Sequence, residues 1–309
     1  MGILRHTRTG AQSVLEPEHL VGRSARASLQ VDESYVSGAH ATLRWVQNGW
    51  ELKDLGSRNG TFVDDVPIKP GHAFWLSQGN RISFGSVEQT WEIIDDSPPK
   101  VMVVPLDGPA APLFAEGDIL ALPSQDDPQA MVFRASDGTW CLEREDEIVP
   151  LSSNELFEAA GRHFRFSCPD LVAETWTHGW PGGATAAIAT LHLVFRASKD
   201  EEFVEIEAVL GRRTESLGSR LHNYLLLLLA RRRIDDKARN LPDTSCGWVY
   251  QDELVDALRI SPEHLNIDIF RIRRQFASLG VSDAANIVER RPRTKQVRIG
   301  VASLSVRTV

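Results

Sequence analysis

The sequence predicts a multidomain α+β chain: a β-sandwich in front, a small β-rich middle segment, and a back end of helices closed by a β-hairpin. Three observations predict it. At 309 residues the chain exceeds one ordinary domain. Residues 13–95 break into short strand-like runs separated by turn residues, the pattern of a sandwich. Beyond residue 211 the apolar period changes from two to 3.6.

In the front segment the strand candidates are "ATLRWV", "WELKDL", "TFVDD" and "RISFG", divided by "QNG", "GSRNG" and "KPG". "GSRNG" reads first as a hairpin turn, because Asn-Gly tolerates positive φ at both positions. "DDSPPK" at 95–100 reads as a linker. These boundaries place domains at 1–95, 101–177 and 185–309.

In the middle segment "MVFRASDGTWCLE" and "HFRFSC" read as strands. Trp140 followed by Phe166 loosely echoes Trp50 followed by Phe84, without any counterpart of "GSRNGTF". Two readings stand: a degenerate repeat of the first domain that kept strands and lost the loop, or coincidence. "HGWPGGATAA" at 178–187 reads as the next linker.

At the back, "TLHLVFRAS" and "EFVEIEAVLG" predict a hairpin. "SLGSRLHNYLLLLLARRRIDD" predicts a long buried helix and "YQDELVDALR" a short one. "SPEHLNIDIFRIRRQFASLG" predicts a third helix, with Ser261 as N-cap, Pro262 in the first turn and Gly280 as its stop. "ANIVERRPRTKQVRIGV" predicts two strands around a basic tip.

Composition bounds the function. With 42% hydrophobic and 25% charged residues the chain has the balance of a soluble globular protein, and no apolar run approaches the ~20 residues of a membrane span. The first ten residues lack the apolar core of a secretory signal. Cys141, Cys168 and Cys246 are too scattered for a disulfide framework or a metal site, so a reducing, cytoplasmic setting is expected, with no cofactor. Walker, G-x-S-x-G and H-E-x-x-H patterns are missing, and no enzymatic activity is expected. The net charge of −8 conceals an asymmetry. From Glu205 onward there are 18 Lys and Arg against 13 Asp and Glu, leaving 16 against 29 in front, so the two ends suit different partners.

Two constellations carry chemistry. In front, "VGR" at 21–23, "VSGAHATL" at 36–43 and "LKDLGSRNGTFV" at 52–63 would bring Arg23, Ser37, Arg58 and Asn59 to loops at one end of a sandwich. Two guanidinium groups, a hydroxyl and an amide suit an oxygen-rich dianion such as phosphothreonine. Gly-Arg, then S-x-x-H, then the "LGSRNGTFV" run with a following I-x-x-G resembles the forkhead-associated (FHA) domain over roughly residues 15–94. The resemblance implies an eleven-strand sandwich that binds phosphothreonine peptides through its apical loops. By position it implies Arg23 and Ser37 on the phosphate, Asn59 on the peptide backbone and Arg58 beside the ligand. Gly22, His40 and Gly60 would shape the loops. Gly38 departs from the pattern, since that position is often basic in the family.

At the back, Leu265, Ile269, Ile272, Phe276 and Leu279 form the core face of the third helix. Asn266, Ile267, Phe270, Arg271 and Arg274 lie on the far side, with Arg273 at its edge. Arginine and asparagine suit phosphate contact and base-edge readout. Ile267 and Phe270 suit either a thymine methyl or a protein partner. Arg290, Arg291, Arg293 and Lys295 crowd the hairpin tip. "LLLLLA", "LNIDIFRIRRQF" and "IVERRPRTKQVRIG" together resemble the winged-helix output domain of bacterial response regulators over about residues 191–301. That implies double-stranded DNA read by the third helix and clamped by the wing, commonly as a homodimer.

The joint expectation is a bacterial phosphothreonine-dependent transcriptional regulator. Its protein partners would be a Ser/Thr kinase or that kinase's substrate, with no membrane. The alternative is an adaptor whose winged helix binds protein instead of DNA.

Overall fold

A computed structural model describes residues 1–108, 111–144, 147–169, 186–200, 202–211, 213–291 and 293–308. Most of the second expected linker, 178–187, lies outside the described residues.

Eleven strands build the N-terminal unit: β1 (Ile3–His6), β2 (Gln12–Val14), β3 (Glu18–Gly22), β4 (Leu29–Gln30), β5 (Ala41–Val46), β6 (Gly49–Asp54), β7 (Thr61–Val63), β8 (Val66–Pro67), β9 (Ala73–Leu76), β10 (Arg81–Phe84) and β11 (Thr90–Asp95). They form two sheets, ordered β2-β1-β11-β10-β7-β8 and β4-β3-β5-β6-β9. Strict alternation selects the inner faces: on β6, Trp50, Leu52 and Asp54 point in while their neighbours point out. Leu4, Val21, Leu43, Trp50, Ile82, Phe84 and Ile93 share the core between the sheets.

The structure corrects one local reading. "GSRNG" is not a hairpin turn, because β6 pairs with β5 and β9 while β7 pairs with β8 and β10. The segment crosses from one sheet to the other. Its positive φ angles fall on Gly56 (79°) and Gly60 (80°), not on Asn59. The tight β5–β6 turn is made instead by Gln47 and Asn48, at φ 47° and 63°.

The middle unit holds β12 (Met102–Pro105), β13 (Leu113–Phe114), β14 (Ile119–Pro123), β15 (Pro128–Arg134), β16 (Trp140–Arg144), β17 (Glu147–Pro150), β18 (Leu156–Ala159) and β19 (Arg162–Ser167). Its sheets run β13-β12-β19-β18 and β14-β15-β16-β17. One sheet therefore runs second, first, last, penultimate, as β2-β1-β11-β10 does. The other matches β3-β5-β6-β9 in order, and the pairings shared by the two units are all antiparallel. Strands corresponding to β4, β7 and β8 are missing among the described residues. Trp50 and Trp140 both lie on matching strands, β6 and β16, whereas Phe84 and Phe166 do not.

The C-terminal unit comprises β20 (His192–Ala197), β21 (Val204–Leu210), β22 (Arg213–Ser219), α1 (Asn223–Ala238), β23 (Val249–Tyr250), α2 (Gln251–Leu258), α3 (Pro262–Ser278), β24 (Val288–Arg291), β25 (Gln296–Ile299) and β26 (Ser303–Thr308). Helix α1 starts later than the sequence suggests, because residues up to Ser219 continue the β21 hairpin as β22. Asn223 then fixes the helix start by donating to the carbonyls of Val204 and Gly218. The α3 boundaries hold: Ser261 Oγ accepts from His264 N at 3.2 Å, and Gly280 follows at φ 80°. Strands β24 and β25 pair as a hairpin with β23 beside them. No helix among the described residues is long and apolar enough to cross a membrane.

Candidate functional site

The N-terminal loops bring all four expected ligand residues together. Gly22 ends β3, and the chain beyond it runs against 37–38: Arg23 N donates to Ser37 O at 2.9 Å and Ser24 N to Gly38 O at 3.1 Å. The approach is so close that a Cβ on Gly22 would lie 2.2 Å from Gly38 O, so only glycine fits.

Ser37 joins this loop to the next. Its Oγ accepts the Arg58 backbone N–H at 3.0 Å, which leaves the hydroxyl proton to donate outward. Asn59 Nδ2 donates to Tyr35 O at 2.7 Å, leaving its Oδ1 and second N–H for a ligand. Arg23, Arg58 and Asn59 are exposed, and neither guanidinium is ion-paired among the described residues.

His40 is the brace beneath. Its Nδ1 accepts from Ser37 N at 3.1 Å, so Nε2 carries the proton and donates to Gly60 O at 3.1 Å. Burial holds its pKa below the ordinary histidine value, outweighing the Gly60 carbonyl and Asp54, which push the other way. A neutral imidazole is what this bonding needs.

Sequence reasoning missed Asp54, although it stands in the quoted motif. This fully buried carboxylate accepts from Gly56 N (2.8 Å), Ser57 N (2.9 Å), Ser57 Oγ (2.5 Å) and Thr61 Oγ1 (2.6 Å), wrapping the sheet-crossing loop around itself. Burial raises its pKa, but the four donors prevail and hold it below the usual carboxylate range. The missed signal was an inward-facing Asp at the end of an alternating strand, followed by Ser and Thr.

The second constellation is arranged otherwise. The α3 core face is buried as expected through Leu265, Ile269, Ile272 and Phe276. The opposite face is partly covered, although Arg271 and Arg274 on it stay exposed. Arg273 is buried: its Nη1 donates to Glu143 of β16 at 3.0 and 3.1 Å, and Nη2 to Val288 O at 2.7 Å. Arg290 reaches the same carboxylate at 2.8 Å, and its Nη2 donates to Asn266 Oδ1 at 2.6 Å. Arg274 donates to Gln125 at 2.5 Å and pairs with Glu116 at 2.8 Å. Phe270 lies in the core that also holds Met131 and Phe133.

Asn266, Arg273, Arg274 and Arg290 thus make contacts within the chain, where the sequence predicts them on an open surface. The reason is a β-sheet placed over the helix. Arg271, Arg291, Arg293 and Lys295 remain exposed. Arg291 stacks on the Trp248 ring at 4.8 Å, with Arg298 also against that ring at 4.5 Å. Among the described residues no cluster of His, Cys, Asp and Glu could hold a metal ion.

Residues 19–85 match the family profile of the FHA domain. The N-terminal unit is an FHA domain. All seven expected loop residues, from Gly22 to Gly60, fall inside the match, and so does Asp54. Over 50 residues, 16% of this chain and 17% of the relative, the sequence is 40% identical to protein FraH of Nostoc sp.. Over 61 residues, 19% of this chain and 39% of the relative, it is 40% identical to the FHA domain-containing protein FhaB of Mycobacterium tuberculosis. The chain thus spans less than two fifths of the length of these relatives.

Among solved structures, one from a study of phosphothreonine-dependent FHA domain interactions is 26% identical over 30% of this chain and 93% of its own, at a TM-score of 0.27. Mycobacterium tuberculosis EmbR in complex with a low-affinity phosphopeptide is 20% identical over 31% of this chain and 25% of its own, at a TM-score of 0.29. The middle unit and α3 lie outside the family match.

Proposed function

We propose that this chain is a phosphothreonine-directed regulatory protein. Its FHA domain captures a phosphorylated protein partner, a Ser/Thr kinase or that kinase's substrate, and its remaining units act on what is captured. The observation that carries this reading is the Ser37 geometry: the hydroxyl accepts from Arg58 N and keeps its proton for an oxyanion, on loops that also carry the exposed Arg23 and Arg58, neither ion-paired among the described residues. Arg23 and Ser37 take the phosphate, Arg58 flanks it, and Asn59 holds the peptide backbone. A degenerate phosphothreonine peptide array tests this. Sequence-selective retention that Arg23→Ala removes supports it; equal retention of unphosphorylated peptides contradicts it.

A second reading concerns the C-terminal unit. Its strands, three helices and basic hairpin follow the winged-helix order, and exposed Arg271, Arg291, Arg293 and Lys295 favour a nucleic-acid backbone. On that reading the protein couples kinase signalling to DNA. On the adaptor reading the same unit binds protein. The middle unit, with the FHA strand order minus β4, β7 and β8, fits an FHA-like sandwich without a ligand loop, because β7 is the strand that the Arg58–Asn59 loop enters.

A further inference from the structure

The β14–β17 sheet buries apolar side chains on both faces. Leu120, Leu122, Ala130, Val132 and Leu142 close the middle sandwich, while Ile119, Ala121, Met131 and Phe133 enter the core of the C-terminal unit. A sheet facing water on its outer side would carry polar residues there. This one instead covers the face of α3 that carries Phe270, Arg273 and Ala277. Contact is close enough that a Cβ on Gly117 would stand 2.8 Å from the Ala277 Cβ.

Charge matches as well as shape. Glu143 sits on this outer face between Arg273 and Arg290, and Glu116 meets Arg274 at the rim. The cap therefore neutralises three of the basic groups that a nucleic acid would need. It leaves the hairpin tip uncovered.

We infer that the middle unit is an intramolecular cap that withholds α3 from nucleic acid, with Glu143 as its fastener. This inference rests on the nucleic-acid reading of the C-terminal unit. A duplex and the Glu143–Glu116 face compete for the same arginines, so α3 is available only when the cap lifts.

The test uses the full chain as wild type, Glu143→Ala and Glu116→Lys. Glu116 is an exposed rim position, so its variant loosens the cap without emptying a core site. Two quantities are measured: hydrogen exchange of residues 262–278, and affinity for a labelled random-sequence duplex at low and moderate salt. The expected result is faster α3 exchange in both variants. Duplex binding should tighten by about tenfold or more, the scale set when a mostly closed site opens, and this gain should be salt-sensitive. Unchanged exchange and unchanged affinity in both variants would overturn the cap. Faster exchange with no duplex binding at low salt would overturn nucleic acid as what the cap withholds, and with it the DNA reading. Wild type binding as tightly as the variants while α3 stays protected would also overturn the inference, placing the duplex on the hairpin alone.

Discussion

Arg273 of α3 and Glu143 of β16 form a buried ion pair between two units of the chain, with Nη1 lying 3.0 Å from one carboxylate oxygen and 3.1 Å from the other. Burial alone would raise the Glu143 pKa. Arg273 and Arg290 outweigh it and hold the group ionised, below the usual carboxylate range. Glu143→Ala leaves both guanidinium groups facing a low-dielectric interface. Breaking a buried pair from one side costs about 3–5 kcal/mol. Thermal denaturation should show a loss of this order. Glu143→Leu combined with Arg273→Met should lose less than the sum of the two single changes. Full additivity would mean that the pair does not act as a unit.

The Gly22 approach makes a sharper steric prediction. Gly22→Ala forces a Cβ to within 2.2 Å of Gly38 O, while Gly38→Ala points into open space. The first should destabilise the FHA domain by about 1–3 kcal/mol, the usual range for overpacking, and weaken phosphopeptide binding. The second should change neither. Chemical denaturation and peptide titration of both variants check this, and equal behaviour of the two would contradict it.

Acid should loosen the FHA domain in two stages. His19 is buried, and desolvation together with Arg165 lowers its pKa from 6.5 to about 3. The unfolded chain therefore takes up this proton first. The stabilisation is complete above pH 6.5 and is lost as pH falls from there toward 3. Asp54 is also depressed, so its contribution holds above the ordinary carboxylate value of 3.8 and is lost below it. Melting temperature against pH should slope between 6.5 and 4 in the wild type, and His19→Gln should make this slope shallower without removing it, because burial also depresses His40. Asp54→Asn should lower stability at neutral pH and leave the slope above pH 4 in place. An unchanged slope in His19→Gln would contradict the assignment.

Much of the FHA site was legible because its chemistry sits in short motifs. Gly22-Arg23, Ser37, His40 and Arg58-Asn59 lie at the end of β3 or in the loops that join strands, and sandwich topology brings those loops together at one end. The turn at "GSRNG" was misread because Asn-Gly between two strands looks the same whether those strands pair or belong to opposite sheets. Only the partners of β6 and β7 settle it.

The cap over α3 was present in the sequence as a contradiction. Phe270 is apolar on the face assigned to DNA, and "ILAL" and "AMVF" run apolar without alternation, as strands buried on both faces do. Each signal says that something covers the element. What covers it is a contact between residues more than a hundred positions apart, which no local pattern records.

The most direct measurement on the central claim compares one selected peptide carrying phosphothreonine, phosphoserine or plain threonine. Each is titrated into the full chain as wild type and as Ser37→Ala. The account predicts that only the phosphorylated forms bind. It also predicts that Ser37→Ala weakens them by about tenfold or more, the loss expected when a charge-assisted hydrogen bond of ~1.5–3 kcal/mol is removed. Binding of plain threonine at the same affinity, or wild-type affinity in Ser37→Ala, would contradict it.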